Sequence, residues 1–386
     1  MTLSEEIREK LIEKGAAIVD YADLSALPLE DRRGYPYGII IGVALTPEIL
    51  IGIKDGPTLD YYGEYNRLNT LLDQLDEYAA ELLREKGFDA LPKVRGIVKI
   101  DEKSRQTELP HKTVATRAGI GWIGKCALLV TEEYGSAIRI SSVLTNAVLD
   151  TGEPINNSRC GTCDVCKNIC PAGAVTGNSW EVHMDRDELY DAHACRNTAL
   201  ERSGRVGISK TLCGLCILSC PWTKKYLKKY LRKEITSVTG GLELLPQVKP
   251  LWEQLREHHS RISKYFSDSF LNRSFSDRAS DFEKKENSHI FRIELIHIGE
   301  SKPPIGYCIS SVGNDFSGEV ESIFVSSEYR DFGIGDILMK NALDWMDSKG
   351  VVTKRLSVAA GNDSALKFYD RYGFKTRTYI LEQKVD

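Results

Sequence analysis

Ten cysteines occur in this chain of 386 residues, and eight of them fall between Cys160 and Cys220. The first run is Cys160-x2-Cys163-x2-Cys166-x3-Cys170-Pro171. The second is Cys213-x2-Cys216-x3-Cys220-Pro221, and Cys195 stands between the two. Thiolates at successive three-residue steps can wrap one centre from a single tight loop, whose backbone amides then face its negative charge. Polypeptides hold a 4Fe–4S cube in this way, and the cysteine just before the proline of such a run ligates the other cluster. The spacing therefore assigns Cys160, Cys163, Cys166 and Cys220 to one cluster. Cys170, Cys195, Cys213 and Cys216 form the second set, with Cys195 replacing the leading cysteine that the second run lacks. All eight thiolates are used. The alternative is a pair of four-cysteine zinc sites, but zinc knuckles rarely carry three cysteines at three-residue steps closing on Cys-Pro.

Such a segment needs a scaffold, and the rest of the chain is long enough for two or three domains with their own cores. Composition is that of an ordinary globular protein, 42% hydrophobic and 27% charged, with a net charge of −4. That balance gives no global basic excess for nucleic acid. The N-terminus reads as a charged amphipathic helix and not as a signal peptide. The apolar stretch at 37–53 is broken by Pro47 and Glu48 and is too short for a bilayer. A cytoplasmic, non-membrane protein with reduced cysteines is the expectation.

The first 150 residues read as a mixed α/β domain. Helices are expected at 4–14, 58–86 and 111–118, the second with Tyr65, Leu68, Leu72, Leu75, Ala79 and Leu82 on one stripe. Short apolar runs predict strands at 38–45, 94–100, 128–130 and 137–144. Between the last helix and the 128–130 strand lies Gly119-Ile-Gly121-Trp122-Ile-Gly124-Lys125. Its G-x-G-x-x-G form is that of a dinucleotide loop, but that motif must follow a strand and open a helix, and here the order is reversed. Glycines flanking a tryptophan instead let the backbone approach a flat, bulky ligand or the cluster segment closely.

Ala118-Gly-Ile-Gly-Trp-Ile-Gly-Lys125, Leu128-Leu-Val, Glu133-Tyr-Gly135 and Leu144-Thr145, followed by the two cysteine runs, resemble the epoxyqueuosine reductase family over roughly residues 1–230. Members are cytosolic iron–sulfur enzymes that use cobalamin to reduce an epoxide on a modified tRNA base, and they are related to reductive dehalogenases. The resemblance implies a cobalamin between the N-terminal domain and the clusters, beside Gly121, Trp122 and Lys125. It also implies a low-potential donor such as ferredoxin or flavodoxin. The family's proton-donating aspartate would fall near Arg105, where no aspartate stands; Asp101, Glu108 and His111 are the nearest groups able to donate a proton. The family also commonly has asparagine where this chain has Cys126, which reads as a small buried hydrophobe.

After Pro221, a run of lysines and aromatics to Lys233 has helical spacing. It suits a tRNA-facing patch, but packing of Trp222, Tyr226, Leu227 and Tyr230 with the lysines in water is the simpler account. Gly240-Gly241 and Pro246 predict a linker over 236–250. Beyond it, a strand at 320–325 leads into Arg330-x-x-Gly333-x-Gly335 and a helix at 336–349. A strand at 354–360, a helix at 364–372 and a final strand at 376–381 are expected to follow. Glycines free the amides of the Arg330–Gly335 loop, and the helix start adds its dipole, so a pyrophosphate can sit there. With Asn362, Ala365, Phe368-Tyr369 and Tyr372-Gly-Phe374, this region resembles the GNAT acetyltransferase superfamily over roughly 246–386. That resemblance implies acetyl-CoA bound by Arg330 and by the amides of Phe332, Gly333, Ile334 and Gly335. It sets Asn362 near the pantetheine and makes Tyr369 the proton donor to the leaving thiolate, with Glu319 and Glu321 as candidate proton acceptors.

The combined expectation is an α/β (α+β) multidomain protein. A mixed α/β domain at 1–150 precedes a ferredoxin-like two-cluster domain at 151–235, a linker at 236–250 and a GNAT domain at 251–386. The expected function is an iron–sulfur oxidoreductase fused to an acetyl-CoA-dependent acyltransferase, acting on a small molecule or tRNA. The competing reading is a redox-sensing or substrate-binding module that controls the acyltransferase.

Overall fold

The structure is a computed structural model and describes residues 1–95, 101, 103, 105–299 and 302–383. It divides into two compact units, Met1–Lys229 and Tyr230–Asp386.

In the first unit, α1 (Leu3–Glu13) leads to the antiparallel pair β1 (Ile18–Asp23) and β2 (Tyr37–Ala44). Thr2 caps α1 with a reciprocal box to Glu5. A short α2 (Pro47–Ile51) precedes the long α3 (Leu59–Glu85), whose first turn is capped by the Thr58 side chain on Tyr61. Then come β3 (Ala90–Pro92), α4 (His111–Arg117), the hairpin β4 (Trp122–Ile123) and β5 (Leu129–Val130), and β6 (Ile138–Thr145). The sheet order is β1-β2-β6-β3, antiparallel throughout. Helices cover both faces. On β6, Arg139 and Ser141 reach Asn69 and Asp76 of α3, whereas Ser142 meets His111 and Leu144 joins Val114 and Ala115 of α4 in one core. That two-sided cover explains why β2 is a continuous apolar run with no alternation.

The chain continues through α5 (Val165–Ile169), α6 (Arg186–Leu189), α7 (Ala192–Gly204) and α8 (Leu215–Ser219) into α9 (Pro221–Glu234). The strand expected at 94–100 is replaced by the three-residue β3; Val94 and Arg95 lie outside any strand, and 96–100 are outside the described residues. Lys93 folds inward onto the Leu109 carbonyl and Arg95 pairs with Asp73 at 2.5 Å, which draws the chain off the sheet.

The second unit corrects the expected linker. Residues assigned to it form β7 (Ile235–Gly240), an edge strand paired with β8 (His289–Ile298), and then a short 3-10 turn and the start of α10 (Leu245–Ile262). The glycine pair closes the strand, and Pro246 sits in the first turn of α10, where its missing N–H costs nothing. Next are α11 (Ser267–Asn272), α12 (Phe275–Glu286), β9 (Gly306–Gly313), β10 (Ser317–Val325), α13 (Ile334–Ser348), β11 (Thr353–Leu356) and α14 (Asp363–Asp370). The five-stranded order is β11-β10-β9-β8-β7, antiparallel except for the β10–β11 pair. The expected strand at 376–381 is absent. No strand partners that segment among the described residues, and Tyr379, Ile380 and Leu381 are 81%, 94% and 93% exposed. The strand before α14 is also shorter than expected, ending at Leu356.

Asp76 is fully buried beneath the sheet on α3, with Ser141 as its partner, and burial pushes its carboxyl well above the usual range. A pKa raised on folding means stability that is lost as pH rises through it. Asp76→Asn should therefore raise Tm, and by more at pH 8 than at pH 5. Loss of stability that is independent of pH would contradict the assignment.

Candidate functional site: two cysteine runs and an acyl-carrier cleft

The two cysteine runs have matching local geometry. Cys166 lies within α5 and Cys170 ends it; Cys216 lies within α8 and Cys220 ends that helix. Cys170 and Cys220 both have extended backbone, at φ −66, ψ 113 and φ −58, ψ 128. The following proline enforces this by excluding the helical conformation at the residue before it. Each terminal cysteine is thereby turned off its own helix, and α5 packs on α8.

Burial and then the charges of Cys170 and Cys213 raise the pKa of Cys195, and Cys220, raised chiefly by burial, feels Cys160. All ten cysteines are free thiols. Among the described residues, no three His, Cys, Asp or Glu side chains gather where they could hold a metal ion. Left-handed Gly161 at φ 54 and Gly214 at φ 80 supply the turns beside Cys160 and Cys213. The second run is seated on the turn after α2 and on the first turn of α3: a Cβ on Gly214 would lie 2.4 Å from Ile53 and 3.3 Å from Tyr61.

The glycine–tryptophan motif serves this seating. A Cβ on Gly121 would meet the Val130 carbonyl at 2.3 Å, and one on Gly119 the Glu153 carbonyl at 2.4 Å, so these glycines permit close approach of the chain to itself. Trp122 is fully buried, edge-on to Trp222 at 5.1 Å. Lys125 is buried and pairs with Asp164, beside the first run, at 2.9 Å. Gly121, Trp122 and Lys125 are all buried, and the Trp122 Nε1 has no hydrogen-bond partner among the described residues. Cys126 is also more than a small hydrophobe: its thiol neighbours Cys166 and Cys216, one from each set. The spacing of the runs held no sign of this ninth thiol.

The expected proton donors are dispersed. Glu108 is exposed and pairs with Arg33 at 3.0 Å. Asp101 sits at the head of a loop in which Arg105 has left-handed backbone at φ 56 and donates its N–H to the Asp101 carbonyl at 2.8 Å. That loop is clasped to the helices between the cysteine runs. Arg186 donates to the Arg105 carbonyl at 2.9 Å, and His193 meets the Lys103 carbonyl at 3.1 Å. His111 lies on the buried face of α4, 2.9 Å from the Ser142 hydroxyl. Burial, then the charges of Lys93 and Arg139, lower its pKa to about 4, so it is an uncharged ring at neutral pH. Lys112, which sequence reasoning passed over, is likewise buried and lowered to about 8, with its ammonium 3.0 Å from the Ala127 carbonyl.

In the second unit, β10 pairs with β11 only from Ser317↔Thr353 to Val320↔Leu356. Glu321 is an extra residue in the β9 register, and beyond it β10 runs on to Val325 with no β11 partner. The bulge thus splays the two parallel strands and leaves backbone groups of β10 open to an extended ligand. At the end of that edge, Gly333 caps α13 in the left-handed conformation at φ 88, with nothing within 4 Å of a Cβ built on it. Phe332, Ile334 and Gly335 complete the turn, and the first-turn amides of α13 have no partner within the helix. Arg330 is tied back to the Val325 carbonyl at 3.0 Å. Asp336 would repel a phosphate, but Arg371 at 2.9 Å and the Tyr372 hydroxyl at 2.5 Å engage it. Asn362 caps α14. Tyr369 is largely enclosed, and burial raises its phenol to about 12, so it is a neutral donor. Glu321 does not suit a proton-accepting role. Burial alone would raise its pKa, but hydrogen bonds from Lys285 at 2.8 Å and Ser311 at 2.9 Å, with Arg278 at 3.2 Å, hold it below the usual range.

These two centres define an iron–sulfur segment and an acyltransferase domain. Residues 159–223 match the 4Fe-4S double cluster binding domain, and residues 252–374 match the acetyltransferase (GNAT) family. The N-terminal part is similar to curated epoxyqueuosine reductases. It is 30% identical to that of Atelocyanobacterium thalassa (isolate ALOHA) over 148 residues, 38% of this chain and 48% of that protein. With the Listeria monocytogenes enzyme it shares 39% identity over 139 residues, 36% of this chain and 35% of that protein. The chain therefore spans less than half the length of these relatives. The structure of epoxyqueuosine reductase from Streptococcus thermophilus is a further likeness, at 19% identity and a TM-score of 0.38, covering 58% of this chain and 67% of that one. Among the described residues, no helix is long and apolar enough to cross a membrane.

NMR of isotope-labelled histidine should find the His111 ring neutral down to about pH 4. A midpoint near the ordinary 6.5 would contradict its placement.

Proposed function

We propose that the chain is a fused enzyme, with an iron–sulfur reductase in its first unit and an acetyl-CoA-dependent N-acyltransferase in its second. The observation that carries the first half is the thiol spacing within residues 159–223, which match the 4Fe-4S double cluster binding domain. It supports two 4Fe–4S clusters, one on Cys160, Cys163, Cys166 and Cys220, the other on Cys170, Cys195, Cys213 and Cys216. Bound clusters would supply one-electron transfer, fed by a low-potential donor of the ferredoxin or flavodoxin kind. The protein's part is to cover them: the β4–β5 hairpin and Trp222 shield the first run, and α3 shields the second.

The substrate face of the reductase lies near Lys103 and Arg105, whose carbonyls His193 and Arg186 engage. Epoxyqueuosine in tRNA is the substrate class the relatives suggest. Part of the basic face of α9 is already engaged, with Lys225 over Trp222 and Lys229 at 3.8 Å from Glu133. Gly121, Trp122 and Lys125, the residues expected beside a cobalamin, are buried.

In the second unit the splay of β10 from β11 and the open turn at Gly333 fit acetyl-CoA. The amides of the α13 turn would hold its pyrophosphate, and the free β10 edge its pantetheine. Acetyl-CoA supplies the activated acyl group, and Tyr369 returns a proton to the departing sulfur.

Two substitutions test the halves separately. After anaerobic purification, Cys220→Ala and Cys160→Ala should each remove the same EPR signal and leave the other cluster in place. Cys195→Ala should remove the second signal. Loss of different signals by Cys220→Ala and Cys160→Ala would refute the crossed ligation. Tyr369→Phe should lower kcat for acetyl transfer about a hundredfold while acetyl-CoA affinity holds. Unchanged kcat would remove Tyr369 from the mechanism.

A further inference from the structure

The second unit contains a cavity of about 350 Å3 enclosed by α10, α11, α12 and β10, a volume that suits a small metabolite. It reaches Ser322 on β10 and Ser357 just past β11, so it opens at the place where those strands part. Its walls carry Trp252 and Phe270, with His259 packed on Phe270 at 5.2 Å. Four cations and two carboxylates face it, and their pairing is uneven.

Arg273 is bound to Asp281 at 2.5 Å, Arg278 to Glu321 at 3.2 Å, and Lys285 to Glu321 at 2.8 Å. Arg256 alone among the four has no carboxylate partner among the described residues. Its Nη1 reaches the carbonyls of Leu271 and Arg273 at 3.5 and 3.3 Å, and its Nε is buried with no partner. A clamp on the end of α11 accounts for the first nitrogen, and the guanidinium lies 5.9 Å from the Trp252 ring centroid, but it has no carboxylate counter-charge among the described residues. A half-buried guanidinium in that state is costly unless an anion completes it. Glu319 also lines the cavity, at 3.2 Å from Arg355 and 3.9 Å from Lys285.

We infer that the acceptor of the acyltransferase is an amino acid with an apolar or aromatic side chain. Its carboxylate pairs with Arg256, its side chain lies against Trp252 and Phe270, and its amino group faces Glu319 at the strand opening. The inference rests on the acyltransferase reading and names the substrate class of that site. In the reaction the free amine attacks the thioester carbonyl, a C–N bond forms and the C–S bond breaks. The thiolate takes a proton from Tyr369, and the amine's proton passes through Glu319 to solvent. The product is an N-acetyl amino acid and free CoA. A polycationic amine is disfavoured, because the lining carries more positive than negative groups.

The test compares L-phenylalanine, phenethylamine and spermidine as acceptors for the full chain, with calorimetric binding of L-phenylalanine measured without acetyl-CoA. L-Phenylalanine should bind and be acetylated, and phenethylamine should have a KM higher by roughly ten- to a hundredfold, as expected for loss of a charge-assisted pair. Arg256→Gln should weaken L-phenylalanine by a similar factor and by far more than phenethylamine, and Arg256→Lys should recover part of the loss. Equal use of L-phenylalanine and phenethylamine, preference for spermidine, or equal effects of Arg256→Gln on both amines would overturn the inference. Failure of acetyl-CoA to bind would sink the acyltransferase reading instead, and the calorimetry would still decide whether the cavity takes the amino acid.

Discussion

In the proposed crossed ligation, eight thiolates reach two points, and each point draws sulfur from both ends of a sixty-residue segment. A proline after Cys170 and another after Cys220 set this geometry, because each forces its cysteine out of the helix it terminates. Once the terminal cysteines exchange partners, α5 and α8 must lie together. The chain between them then has only to deliver Cys195, which it does from α7. The first unit is built to hold that crossing in place. Gly121 allows the β4–β5 hairpin to close, Trp122 and Trp222 form a buried wall, and Lys125 fastens the hairpin to Asp164.

The second unit depends on a single interruption. One extra residue, Glu321, parts β10 from β11 and is itself fixed by Lys285, Arg278 and Ser311. The same bulge therefore shapes two things: the open edge available to an acyl carrier and the inner wall of the cavity that meets it. Holding Glu321 as a charged, three-way hydrogen-bonded anchor explains why it serves shape better than proton transfer. The cation left over in that cavity, Arg256, is where the lining is incomplete.

Features fixed by local chemistry were legible before the structure. Thr58 opens the helix expected at 58–86, the short apolar run at 38–45 marks β2, and the thiol spacing implies the crossing. What sequence alone misplaced depended on partners distant in the chain. Residues 235–240 resemble a linker until β8 is available to pair with them, and residues 376–381 resemble a strand although nothing pairs with them. The Val130 carbonyl and Trp222, which Gly121 and Trp122 meet, are not adjacent to them in sequence. Cys126 and Lys112 were unreadable for the same reason: only folding sets Cys126 beside Cys166 and Cys216 and buries Lys112 against the Ala127 carbonyl. Arg256 has no motif at all, and its unmatched charge is visible only once Arg273, Arg278 and Lys285 have found theirs.

The account stands or falls on what the two cysteine runs bind. Iron, zinc and acid-labile sulfide should be quantified together on anaerobically purified full-length chain. Two crossed 4Fe–4S clusters predict about eight irons and about eight sulfides per chain, with no stoichiometric zinc. About two zinc ions and no sulfide would contradict it, and would make the first unit a structural module with no electrons to transfer.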